Sequence, residues 1–565
     1  MSGEQTVWMA EDFTGPAMAR GLRRRLRSFM HKTAAMMTHL GEALLTAAFL
    51  TRSVASTAGT DVVTYHNDIA RTGQNLTETS LTPATVNAAA FGKAGFYSTD
   101  GKVDAQPLYL SGVAISGQGA HNMLYVVTEH DSVYGFEADT GAVIWKNPLL
   151  QNTGEVTSDT RGCGQVVPEI GITSTPVIDR SRGAIYVVAM SKHVVGSTTT
   201  YLQRLHALDI TTGAELFGGP KTIQATFGSV TFDPKQYEER AGLLLTNGRL
   251  ILAFTSHCDI GTYQGWVMAY DPATLAQTNV LNVTPNGGGG IWMAGAGPAA
   301  DAAGNVFLLD GNGDFDTNLD ISGFPASRNF GNAFLKLSTN GGLTVADYFA
   351  TFDTVQQSQQ DADLGSGGTL LLPDLVDGNG RTRHLAVGAG KDSHIYVVDR
   401  DSMGKWNASS NNIHQDITGA ISGGVWSMPA YFNGTLYYGS NDDRLKAFPI
   451  TNAIIASTPS SQSATSFSYP GTTPGISASG ATNGIVWAVE NSSPAVLHAY
   501  DATNLARELY NSTQAGARDS FGAGNKFITP TIVNGHVFVG TQTGVAVFGS
   551  LLPATPTNVH IVRGS

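Results

Sequence analysis

Short apolar runs, broken by tight-turn residues, recur along most of the chain. The clearest unit is "VYGFEADTGAVIW", Val133 to Trp145: an apolar strand, an Asp, a Thr-Gly turn and a second strand. It returns as "LHALDITTGAELF" from Leu205, "VMAYDPATLAQTN" from Val267, "IYVVDRDSMGKW" from Ile395, "LKAFPITNA" from Leu445 and "LHAYDATNLAREL" from Leu497. Weaker copies begin at Ala333 and Gly544. Each is preceded by another apolar run, such as "GAIYVVAM" or "GHVFVGTQ", and most by a further short strand-like piece. The repeat is therefore about four strands long, and eight copies follow one another at roughly 50–70 residues.

Four-stranded units repeated at this period predict an all-β, eight-bladed β-propeller, because a ring of stacked sheets buries both faces of each sheet and leaves few open edges. The last unit lacks its outer strand. "FGKAGFYST", Phe91 to Thr99, is placed to supply it from the N-terminal side and close the ring. The Asp and Gly of the repeat fit tight turns for backbone reasons. Trp145 and Trp406, at strand ends, are expected to pack between blades. "YHND" and "ARTGQN" precede the ring and suggest a polar segment crossing one face, with His66 and Arg71 near a pocket.

The chain has 565 residues and a net charge of −12, which lacks the basic footprint for binding nucleic acid. Basic residues cluster only in "RGLRRRLRSFMHK", followed by the apolar "TAAMMTHLGEALLTAAFL" and a small-residue end. That order resembles a secretory signal, so residues 1–58 are expected to precede the folded part and to direct export to the periplasm, the cell surface or the medium. No later run reaches the ~18 apolar residues of a membrane-spanning helix. The two cysteines, Cys163 and Cys258, are either one disulfide or two buried thiols. Residues 59–550 are read as the propeller. Residues 551–565 are read as a linker or tail resembling the start of a fibronectin-like module.

The repeat "AxDxxTGxxxW" resembles the blade motif of pyrroloquinoline quinone (PQQ) propellers. These comprise the quinoprotein alcohol dehydrogenases and assembly proteins of the same shape. The likeness runs from about Gln106 to Phe548. In the dehydrogenases a Gly-Gly-x-x-Trp segment carries a Trp that stacks under the quinone. A Gly-Asn turn follows that supplies an oxygen to calcium. "GGGIW" and "DGNGDF" match these, placing Trp292 as platform and Asn312, 20 positions on, as metal ligand. The resemblance makes Asp361, in "QQDADLG", the calcium-linked general base, with Asp363 just after it. It makes Lys391, in "AGKDSH", the cation at the quinone oxygens. It implies PQQ and calcium as cofactors and an alcohol or sugar as substrate. Proton removal, quinone polarisation and a nearby cation are what such an oxidation needs.

The sequence also departs from that pattern. The glutamate calcium ligand expected in the second blade is absent unless Glu169 or Asp259 replaces it. A Gln360 stands where a Trp is expected, and the adjacent-cysteine pair is missing. No CxxCH occurs, so no covalent haem is expected. Each matched residue also has a plain structural reading: Trp292 could plug the axis, and Asn312 suits a turn. Two clusters outside the pattern, "SHCDIGTYQGW" and "RGCGQVVPEIG", offer a second ligand face of His257, Asp259, Tyr263, Trp266 and Glu169, suited to a carbohydrate. The alternatives to a quinoprotein are therefore a non-redox propeller that binds or cleaves carbohydrate, and a cofactor-free scaffold for protein partners.

Overall fold

The computed structural model describes residues 60–150 and 152–551. The signal-like segment 1–58 and the tail, apart from Leu551, lie outside the described residues. Eight antiparallel sheets follow one another along the chain. Blade 1 is complete and in order: Leu108–Ile115, Gly119–Val127, Ser132–Glu137 and Val143–Pro148. The innermost strands of blades 2 to 8 are Val177–Asp179, Leu244–Thr246, Ala299–Ala300, Thr369–Leu371, Ala430–Phe432, Gly475–Ser479 and Thr531–Val533. Blade 8 has only three strands from the C-terminal end. Phe91–Ser98 pairs with its third, Gly544–Ser550, and supplies the fourth. The ring closes between the two ends of the fold, as the missing outer strand predicts.

The repeat's chemistry explains its geometry. In blade 2 the Asp209 carboxylate accepts hydrogen bonds from the backbone N–H groups of Thr211 (2.8 Å) and Thr212 (3.0 Å), which closes the turn. Gly213 then takes φ +71°, where a Cβ would lie 2.4 Å from the Trp145 ring of blade 1. Trp145 Nε1 donates to the Ile210 carbonyl at 3.1 Å. The turn of one blade is thus the socket for the Trp of the blade before it. Trp406 of blade 5 instead packs against Phe315 of the preceding blade. Leu250, Ile251, Leu252, Ala253 and Phe254 are all buried, because neighbouring blades cover both faces of the sheet. Such strands read as continuous apolar runs rather than alternating ones.

The segment before the ring does not lie near a pocket mouth. It threads across the axis as a plug and bonds to all eight blades in turn. Val62 exchanges backbone bonds with Tyr109 of blade 1, and the Val63 carbonyl accepts from Ile178 of blade 2. The Arg71 guanidinium donates to the Leu243 carbonyl (3.3 Å), at the start of blade 3, and to the Pro298 carbonyl (2.8 Å), ahead of blade 4. The carbonyls of Ile69, Ala70, Thr72 and Gly73 accept from Ala300, Leu371, Tyr431 and Ile476 of blades 4 to 7. Asn75 Nδ2 donates to the Ile532 carbonyl of blade 8 at 3.0 Å. His66 and Arg71 are fully buried within this plug. The expectation that they stand near a pocket is corrected: their polarity serves the inner-strand carbonyls, which have no further strand to bond.

Cys163 and Cys258 form a disulfide, with Cα atoms 6.0 Å apart, that ties the loop entering blade 2 to one leaving the second strand of blade 3.

Candidate functional site

An axial cavity of about 120 Å³ is lined by residues that precede the inner strands and by the loops around them. Its wall is built from seven blades. Gln165, Arg240, Trp292, Ser366, Trp426, Tyr469 and Phe527 each stand shortly ahead of an inner strand. Asp259, Asp361, Asp363 and Lys391 come from connecting segments, and Asn312 from a short paired strand. The structure therefore brings Trp292, Asn312, Asp361 and Lys391 into one cavity, although they are spread over a hundred positions of sequence.

The glycine-rich stretch positions Trp292. Gly289 and Gly290 pair with Asn312 and Gly311 as a two-residue ribbon. The Ile291 amide bonds to the Phe254 carbonyl of blade 3, and the Met293 amide to that of Gly365, ahead of blade 5. Trp292 is thus stitched to the Asn312 turn and to the Asp363 segment. At Gly311 a Cβ would come within 2.6 Å of the Asp363 carboxylate and 3.3 Å of Trp292 Cδ1, so no larger residue fits without displacing one of them. Trp426 and Tyr469 meet edge to face at 5.2 Å on another wall.

Lys391 is the electrostatic centre of the acidic side. Its ammonium lies 2.5 Å from Asp361 and 2.6 Å from Asp363. Burial pushes the Asp363 carboxyl up to about 6, against the pull of Lys391. Asp361 is partly desolvated too, yet the bonds from Lys391 and from Asn312 Nδ2 (2.9 Å) hold it below the usual carboxylate range. Lys391 is held above its ordinary value by the two acids, which outweigh its own desolvation. Asp361 is thus kept ionised at the cavity edge while Asp363 is kept close to titrating.

The opposite side is basic. Arg240 is 4% exposed, with its guanidinium 4.8 Å from the centroid of Phe527 and 5.9 Å from that of Trp292. Its Nη1 donates to Gln165 Oε1 at 2.8 Å, and its buried Nε has no partner. Lys526 stands over Tyr469 at 5.6 Å.

The donor set does not fit calcium. A calcium ion takes about six to eight oxygens. Among the described residues no three acidic, His or Cys side chains are placed to share one ion. Asn312 Oδ1 is a buried acceptor without a partner, as a metal ligand would be, but Asp361 is held by Lys391 and Asn312. Of the two replacements for the missing second-blade glutamate, Asp259 reaches the cavity. Glu169 does not: its carboxylate is engaged by His130 at 3.0 Å and Thr157 at 2.6 Å.

The second ligand face is not assembled. Trp266 is fully buried, edge-on to Phe232 and Tyr237 inside blade 3, because its strand is covered on both sides. His257 is buried between Glu238 (2.5 Å) and the Thr160 carbonyl (2.9 Å). Tyr263 is buried as well, and Asp259 alone of this set lines the axial cavity. These residues brace the disulfide-tied corner.

Sequence reading missed Arg240, Trp426, Tyr469, Phe527 and Gln165. A signal for three of them exists: Arg240, Trp426 and Phe527 each sit four positions ahead of the first residue of an inner strand. Registering the repeats on their inner strands, rather than on the Asp-Gly turn, marks those positions as axial.

No protein-family model and no curated protein matches the sequence. Solved structures do. The quinohemoprotein alcohol dehydrogenase of Comamonas testosteroni matches over 90% of this chain and 84% of its own, at 16% identity and a TM-score of 0.57. A quinohemoprotein alcohol dehydrogenase of Pseudomonas putida HK5 matches over 87% and 80%, at 14% identity and 0.57. A europium-containing methanol dehydrogenase matches over 87% and 98%, at 12% identity and 0.55. At these identities the likeness is one of fold: the chain is an eight-bladed β-propeller of the kind on which the quinoprotein alcohol dehydrogenases are built.

Proposed function

We propose that the axial cavity is a cofactor site for a flat quinone of the PQQ kind, in an exported protein that oxidises an alcohol or sugar. The observation that carries this reading is the meeting of an aromatic platform, Trp292, with the Asp361–Lys391 pair in one cavity. A planar ring system gains from stacking on Trp. A bound quinone would supply a two-electron acceptor. The chain's own residues supply the rest. Lys391 and Asn312 keep Asp361 ionised, so its carboxylate is available to take a proton from a substrate hydroxyl. Lys391 presents a positive charge to any oxygen held beside it, next to the aromatic side chains of Trp292, Trp426, Tyr469 and Phe527. Calcium has no place in this reading, since the donors do not assemble for it. Export is supported by the basic-then-apolar order of residues 1–58 and by the disulfide.

The test is titration of the purified protein with PQQ, followed by intrinsic fluorescence and melting temperature, and then dye-linked oxidation of alcohols and sugars. Quenching and a higher melting temperature, both lost in Trp292→Ala, are expected. A wild-type protein that responds in neither signal ends the quinone reading. Among the described residues, no helix is long and apolar enough to cross a membrane.

A further inference from the structure

The basic side of the cavity has no work in the oxidation outlined above, and its electrostatics are unusual. Arg240 is 4% exposed and makes no ion pair with any acid among the described residues. Its one side-chain hydrogen bond goes to a neutral amide, Gln165, and its buried Nε has no acceptor at all. A guanidinium so far removed from water is costly unless an anion or a full set of acceptors meets it. Phe527 and Trp292 give it a face to rest on but no counter-charge.

Lys526 repeats the pattern. Desolvation lowers its ammonium below the ordinary lysine value, and Arg240 and Lys102 lower it further. The acid that acts on it, Asp104, is paired with Lys102 at 2.7 Å. Lys102, Arg240 and Lys526 border one small recess with Asp104, Gln165 and Phe527, and it shares Gln165, Arg240 and Phe527 with the lining of the axial cavity. The chain as a whole is acidic, at −12, so this concentration of cations is local. None of the cavity's acids pairs with it: Asp361 and Asp363 are both bound to Lys391, and Asp259 accepts from the Ser256 hydroxyl.

We propose that Arg240 and Lys526 form a carboxylate-binding subsite at the axial cavity. A guanidinium fork takes a carboxylate through two parallel hydrogen bonds, and the free Nε edge of Arg240 is available for one of them. Lys526 adds a point charge beside it. The subsite belongs to the cavity assigned above to a quinone but does not depend on that assignment. Its carboxylate comes either from the planar cofactor itself or from an acidic substrate, such as a sugar acid.

Two matched pairs of probes separate these sources: gluconate with glucose, and PQQ with its trimethyl ester. Each is titrated into wild type, Arg240→Met and Lys526→Met at low and high salt, with fluorescence and melting temperature as readouts. In at least one pair the anionic member should bind tenfold or more tightly than the neutral one. That preference should fall with salt and vanish in both variants, while Arg240→Lys keeps part of it. Gluconate preference that survives saturation with PQQ assigns the carboxylate to the substrate. Preference for PQQ over its ester assigns it to the cofactor. Arg240→Met should melt no lower than wild type, because it removes a buried charge that has no partner. Equal binding within both pairs, or a preference retained in Arg240→Met, overturns the subsite. If PQQ and its ester bind equally well and gluconate binds no better than glucose, the quinone reading stands and the subsite falls. If gluconate is preferred and PQQ gives no response, the subsite stands and the quinone reading falls. Silence from all four probes overturns both.

Discussion

The Lys391 ammonium lies 2.6 Å from the carboxylate of Asp363, an acid whose side chain is 2% exposed. The pair is the hinge of the acidic side of the cavity, since the same ammonium also holds Asp361. Removing the cation leaves one buried and one edge carboxylate facing each other. Lys391→Met should therefore lose roughly 2–3 kcal/mol, discounted for the partial exposure of Lys391. Adding Asp363→Asn should recover at least half of that loss. Urea denaturation of the single and double variants measures it; an additive double variant contradicts the coupling.

Gly311 faces both functional sides of one wall. Its absent Cβ leaves room for Asp363 and Trp292 at once. Gly311→Ala should cost about 1–3 kcal/mol through overpacking. It should also displace Trp292, seen as a shift in tryptophan emission. Unchanged emission with unchanged stability would mean the two side chains have slack the geometry does not show.

The plug rests on Arg71. Its guanidinium donates to the carbonyls of Pro298, Tyr65 and Leu243 and to the Thr64 hydroxyl, all buried. Arg71→Met should cost about 3 kcal/mol or more, because those acceptors lose their donors. Arg71→Lys should rescue little, since a single ammonium cannot reach acceptors arranged for a fork. Thermal melts of both variants decide the point: a lysine variant as stable as wild type would show that charge rather than geometry matters.

Glu239 gives the pH dependence. It is 6% exposed, neither of its carboxylate oxygens has a hydrogen-bond partner, and burial pushes its carboxyl up to about 8. A raised folded-state value means the folded protein holds the proton where the unfolded chain has released it. The stability this confers is complete below the ordinary glutamate range, near 4.5, and is lost as pH rises towards 8. Glu239→Gln should flatten that arm, making the variant more stable than wild type at pH 8 by roughly 1–3 kcal/mol but not at pH 4. Parallel pH–stability curves for the two proteins would refute the assignment.

Much of this was legible in the sequence because it is local or periodic. The Asp-x-x-Thr-Gly turn closes through hydrogen bonds between residues two and three positions apart, so its residues announce it wherever it occurs. A sheet covered on both faces needs continuous apolar strands, so the repeat announced its own stacking. The count of strands, one short at the C-terminal end, called for a partner, and Phe91–Ser98 is that partner. Trp292, Asn312, Asp361 and Lys391 stood out through their family-like order, and they share a cavity.

Other features depend on the ring having closed, and no short-range pattern encodes them. "SHCDIGTYQGW" has the composition of a ligand face, but burial of Trp266 between blades takes it out of reach. His66 and Arg71 look like site residues from their polarity, yet they are buried because eight inner strands converge on N–H and carbonyl groups that the plug satisfies. Arg240 reads as one basic residue after two acids, and it becomes a buried charge without an anion only when Gln165, Trp292 and Phe527 arrive from three other blades. The sequence determined the repeat, its turns and its closure, since these rest on neighbours along the chain. The tertiary structure decided which polar side chains face the axis, since that rests on which loops a closed ring brings within a few ångströms of each other.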